Sequence, residues 1–152
     1  MSIGRGKTVE GVRVLPAMHP ERIGAATVYY NGAPITNASG YGIDTQPYDD
    51  AIVMIDVGTF QGAAATLSVD VYESATDDPS AATLLAGAQF ADVNEATDDT
   101  AYNGAIRTKM NKRYLFVRAE TMGEPLTCDF SAMVALGRAD SQSVGNTPVF
   151  DV

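Results

Sequence analysis

Thr66-Leu-Ser-Val-Asp-Val-Tyr-Glu73 is the stretch whose reading decides the fold. Leu67, Val69 and Val71 fall on one side of an extended chain, and Ser68, Asp70 and Tyr72 on the other. Successive side chains of a strand point to opposite faces, so this alternation marks a half-buried β-strand. The same period recurs on either side. In Ala51-Ile-Val-Met-Ile-Asp-Val57 the odd positions are apolar and Asp56 marks the other face. Arg113-Tyr-Leu-Phe-Val-Arg-Ala-Glu120 places Leu115, Val117 and Ala119 together. Leu126 to Leu136 does the same for Cys128, Phe130, Ala132, Val134 and Leu136. Weaker patterns predict further strands near Val9–Leu15, Ala25–Tyr30, Ala86–Val93 and Gly104–Thr108.

Turn chemistry separates these segments. Gly58-Thr-Phe-Gln-Gly62, Thr76-Asp-Asp-Pro-Ser80, Thr97-Asp-Asp-Thr100 and Met122-Gly-Glu-Pro125 are the breaks. Ala81–Leu85 predicts one helical turn, and helical periodicity is otherwise poor. The expected fold is all-β: an antiparallel β-sandwich, jelly-roll-like, with about eight strands. A length of 152 residues favours one domain. Residues 1–22 combine glycine, basic residues, Leu15-Pro16 and His19-Pro20, and read as an N-terminal arm. Residues 23–137 form the sandwich, and the polar residues 138–152, with Pro148, read as a C-terminal arm.

Charge is sorted along the chain. Between Arg22 and Arg107 there is no lysine or arginine, while those 84 residues hold twelve Asp and Glu. The flanks are basic, with Arg5, Lys7, Arg13 and Arg22 on one side and Arg107, Lys109, Lys112, Arg113 and Arg118 on the other. Such asymmetry steers docking and fixes orientation; acidic solvated loops are the plainer explanation. Arg5, Lys7, Arg13, Arg22, Lys109, Lys112 and Arg113 are the candidate partner-binding residues. Lys109, Lys112 and Arg113 are expected to meet acids of a neighbouring copy, and Arg118 to pair within the domain.

A net charge of −9 argues against nucleic acid, whose phosphates require clustered cations. No stretch approaches the roughly 20 apolar residues of a membrane helix, and the N-terminus lacks a secretory h-region. Synthesis in the cytoplasm is expected. The single cysteine, Cys128, falls in a strand and reads as a buried thiol. Gly6-Lys7-Thr8 lacks the rest of a phosphate loop. Asp92-Val-Asn-Glu-Ala-Thr departs from a calcium loop at its later positions. The doublets Asp49-Asp50, Asp77-Asp78 and Asp98-Asp99 read as turn residues, with a shared cation trap as the other reading. One histidine, His19, cannot build a multi-histidine metal site, and no Gly-x-Ser-x-Gly elbow exists. Neither a catalytic residue, nor a metal site, nor a cofactor is therefore expected.

Several segments share one order and spacing. Ile43-Asp-Thr-Gln-Pro-Tyr48 leads into the strand ending Asp56-Val-Gly58. Val69-Asp-Val-Tyr-Glu-Ser74 runs into an Asp-rich turn. Lys112-Arg-Tyr-Leu-Phe-Val-Arg118 precedes the strand ending Val134-Ala-Leu-Gly137. Over residues 41–137 this resembles the head decoration, or cement, proteins of tailed bacteriophages. The resemblance implies a jelly-roll-like protein on the capsid exterior of a virion, made in the host cytoplasm. It would bind the major capsid protein, bridge capsomers and act as a homo-oligomer, dimer or trimer. The family brings no catalytic residues. The alternative from another class is a carbohydrate-binding or receptor-binding β-sandwich module of a virion.

Overall fold

Leu67, Val69 and Val71 are almost completely buried, as are Leu115, Val117 and Ala119 and the set from Cys128 to Leu136. The alternation therefore reports the inner faces of two packed sheets. The computed structural model describes residues 12–24, 27–34, 40–62, 64–94, 102–123 and 127–137. In chain order the strands are β1 (Val12–Gly24), β2 (Val28–Tyr30), β3 (Ala33–Pro34) and β4 (Ile43–Asp44). They continue with β5 (Asp50–Gln61), β6 (Thr66–Ser74), β7 (Thr83–Gln89) and β8 (Val93–Asn94), and end with β9 (Tyr102–Lys109), β10 (Tyr114–Met122) and β11 (Thr127–Gly137).

One sheet has the order β1-β11-β5-β9 and the other the order β3-β2-β10-β6-β7, with β4 beside β10 and β8 beside β6. All pairings are antiparallel. Setting aside the two-residue strands leaves eight. The first of these pairs with the last (β1 with β11), the second with the seventh (β2 with β10), the third with the sixth (β5 with β9) and the fourth with the fifth (β6 with β7). That nesting is one long hairpin rolled onto itself, which is the jelly roll. The fold expected from the alternation is the fold observed.

Three local features differ from the reading of the sequence. Residues 12–22, assigned to an arm, belong to β1, which runs unbroken past that boundary as an edge of the four-stranded sheet. Their prolines are an edge-strand feature, because Pro16 and Pro20 have no backbone N–H to donate and are tolerated only at edges or irregularities. The register slips between Pro16 and Met18 and again between Met18 and Glu21. Arg5 and Lys7, the Asp98-Asp99 doublet and the whole of 138–152 lie outside the described residues. The helical turn expected at Ala81–Leu85 is a 3-10 turn at Pro79–Ala81, and Thr83 already opens β7. Asp78 explains the shift, since its carboxylate caps the turn by accepting from the Ser80 backbone N–H at 2.8 Å. Finally, β10 is buried on both faces: Phe116 packs outward with Tyr30 and Ala33 in a second, smaller cluster.

A tight hairpin holds that second cluster in place. Asn31 and Gly32 join β2 to β3 with φ of 47° and 83°. Positive φ at both central residues is the signature of a type I′ turn, for which Asn-Gly is the favoured pair. The Asn31 amide then does the work of missing strand. Its oxygen accepts from the Val117 N–H at 2.8 Å, and its nitrogen donates to the carbonyls of Leu115 at 3.1 Å and Tyr41 at 2.7 Å. Asn31 thus fills the gap along β10 between the stretch paired with β2 and the stretch paired with β4.

Candidate functional site

Four arginines are committed to carboxylates of their own chain. Arg22 meets Asp129 at 3.1 Å, Arg107 meets Asp50 at 3.0 Å, and Arg113 meets Asp44 at 2.7 Å. Arg118 lies 2.6 Å from Glu120 and 4.0 Å from Asp70. The intradomain pairing expected for Arg118 is present. Arg22 and Arg113, expected to face a partner, are instead engaged across strands. The reason is register: β10 beside β4 brings Arg113 to Asp44, and β1 beside β11 sets Arg22 opposite Asp129. The Arg113 guanidinium, then the Gln46 backbone N–H, hold the Asp44 carboxyl below its ordinary pKa. Lys112 donates to the Thr83 hydroxyl at 2.6 Å. Its backbone N–H and that of Asn111 donate to the buried Glu73 carboxylate at 3.1 and 2.8 Å, fixing the turn before β10. Arg13 is exposed on β1, and Lys109 is exposed at the end of β9.

The acidic doublets serve local structure where they are described. Asp50 pairs with Arg107, Asp77 accepts from the Gly42 N–H at 2.6 Å, and Asp78 caps the 3-10 turn. Among the described residues no group of three or more His, Cys, Asp and Glu side chains is arranged to hold a metal ion. His19 is exposed on β1 and Cys128 is buried.

The two outer faces of the sandwich differ. On the larger sheet Tyr30 meets Tyr72 and Phe116 edge to face, and the Arg118 guanidinium sits over the Tyr72 ring. These rings pack on one another, and Tyr41, 52% exposed, stands clear of them. Beside them burial outweighs the Gln89 hydrogen bond and the Arg118 charge, and raises the pKa of Asp70. On the four-stranded sheet the register sets Val14, Ala135, Ile52 and Arg107 in one row and Pro16, Met133, Met54 and Ala105 in the next. All of them point outward, because Leu136, Val134, Val53 and Ile55 fill the inner face. Toward one end lies an open depression of about 330 Å³ lined by Glu21, Arg22, Asp56, Asp129 and Ser131, among others. The sequence marked the charges and missed this face. Its signal was the apolar even positions Ile52 and Met54 in β5, which should be polar if that side met only water.

The fold and these faces define an antiparallel jelly-roll sandwich. Among solved structures the chain is similar to the VP2 protein of infectious bursal disease virus in derived T=1 particles, with a TM-score of 0.54 at 12% identity over 84% of this chain and 31% of that one. It is also similar to the structure of the Gx strain of that virus, with a TM-score of 0.54 at 14% identity over 90% of this chain and 34% of that one. The chain thus spans about a third of the length of the structures it matches. At such identities the likeness is one of fold. No family model and no curated protein sequence matches the chain.

Proposed function

We propose that the chain is a virion structural protein that binds the outer surface of a phage capsid and stabilises it by bridging capsomers. One observation carries this reading: the nested strand order is that of a jelly roll, and solved structures similar to the chain in fold are of a virus-particle protein. The resemblance of residues 41–137 to phage cement proteins supplies the finer role. The work is mechanical. Modest contacts repeated over a lattice add up when one molecule touches two capsomers, because the second contact is made at high effective concentration. No catalytic group or cofactor is required.

The test uses expanded heads assembled from the major capsid protein of the virus that encodes this chain. The chain should co-sediment with them at saturable stoichiometry and raise their melting temperature. Absence of binding at low salt, together with binding to defined oligosaccharides, would replace this reading with a glycan-binding module.

A further inference from the structure

The outer face of the four-stranded sheet is apolar in the middle and oppositely charged toward its ends. Val14 and Met133 are 50% and 44% exposed there. Lys109, opposite Asp50 in the register, closes one end of β9 on this face, and Asp56 lies on the same face at the middle of β5, opposite Asn103 near the other end of β9. Neither makes an ion pair among the described residues. The rows they occupy are six residues apart along β5, about 20 Å at strand spacing.

We propose that two copies of this chain meet through this face, about a two-fold axis that lies in the plane of contact and runs across the strands. Such an axis reverses the strand direction of the second copy. Placed between the two apolar rows, it sets Met133 over Ala135 of the second copy and Ile52 over its Met54. Large side chains then meet smaller or flexible ones, as packing of two sheets requires. The same operation brings each Lys109 beside the second copy's Asp56, one strand over, within reach of a lysine stem. A two-fold contact uses one patch twice, so it forms only if the patch is self-complementary. A single-signed patch would repel itself, whereas this one carries Lys109 toward one end and Asp56 toward the other, each without an ion pair among the described residues. Asp50, which falls near Asp56 in this arrangement, is already neutralised by Arg107.

The size of the face suits weak, specific pairing. Four strands by about eight residues measure about 19 Å by about 26 Å. Two such faces bury about 1,000 Å² together, at the lower bound for a specific interface. The inference concerns the isolated chain and does not depend on its binding a virus shell.

Analytical ultracentrifugation of the full chain at about 0.1 mM and low salt tests it. The expected mass is about 32 kDa, twice the 16.0 kDa of one chain. Met133→Asp should give the single-chain mass while its thermal melt stays that of a folded protein. Lys109→Asp and Asp56→Lys should each weaken association by about tenfold or more. The double variant K109D/D56K should regain the parent's association, because the exchanged charges meet again across the axis. A single-chain mass for the unmodified protein would overturn the proposal. So would a trimer, a dimer indifferent to Met133→Asp, or a double variant no better than the single ones.

Discussion

Replacing Asn31 separates what a turn backbone contributes from what one side chain contributes. Asn31→Gly keeps the positive-φ conformation and deletes the amide, leaving three backbone groups without their partner. Tyr41 is exposed, so its carbonyl regains water at little cost. Leu115 and Val117 have no exposed surface, and their orphaned C=O and N–H cost about 1–3 kcal/mol each. A loss of about 3 kcal/mol follows, or about 6–12 °C in melting temperature at about 2–4 °C per kcal/mol for a chain of this size. Asn31→Ala should be worse by about 1 kcal/mol, because a Cβ at positive φ adds strain. Asn31→Asp should fall between parent and Gly at neutral pH, since it still accepts from Val117 but has no N–H for Leu115. Urea denaturation of the four proteins measures the series. A Gly variant within about 0.5 kcal/mol of the parent would refute the claim that the amide completes the strand.

Three further outcomes follow from the same contacts. Gly42→Ala would put a Cβ 2.6 Å from Asp77 Oδ1 and 2.8 Å from Phe116 Cζ, and should destabilise by about 1–3 kcal/mol in denaturant titration. Glu73→Ala should cost about 2–4 kcal/mol and speed hydrogen exchange at the Asn111 and Lys112 amides, while Glu73→Gln, which keeps an acceptor oxygen, should cost less. Burial raises the folded pKa of Asp70 above its unfolded value, so the folded state binds the proton more tightly and stability falls as pH rises between the two values. Asp70→Asn removes that dependence. Its melting temperature relative to the parent should therefore be higher at pH 7 than at pH 3.5, and a difference of the opposite sign would place the control of Asp70 with Arg118 rather than with burial.

The two-sheet architecture was legible because four strands keep period two in their apolar residues. Burial alternates cleanly in β5 as far as Val57, and in β6, β10 and β11 the inner-face positions are buried while Asp70, Phe116 and Ala135 add burial on the other face. The two-residue strands β3, β4 and β8 left no trace, since a pair of residues has no period. Pro16 and Pro20 hid the continuation of the strand expected near Val9–Leu15, because proline speaks against central strands and says little about edges. The charge map was harder to interpret. Sorting of basic and acidic residues along the chain suggested a partner, yet antiparallel register folds Arg113 onto Asp44 and Arg22 onto Asp129. Which cation meets which acid is a property of register, and register depends on pairings between residues far apart in the chain. Asp56 and Lys109 stand out only after those pairs have been made.

The nested pairing has a consequence for how the chain comes to exist. Val12 waits for Gly137 as its neighbour and Ile23 for Cys128, so the strand synthesised early is completed by the last one described. Long-range pairings of this kind make folding slow and concentrate it in one late event. A nascent chain released only as far as β9 would carry β5 with one neighbour and β1 with none, and both bare flanks are templates for the wrong chain. Newly made copies crowded on one messenger are therefore most vulnerable to tangling before β11 emerges from the ribosome, and safe once it has slotted between β1 and β5.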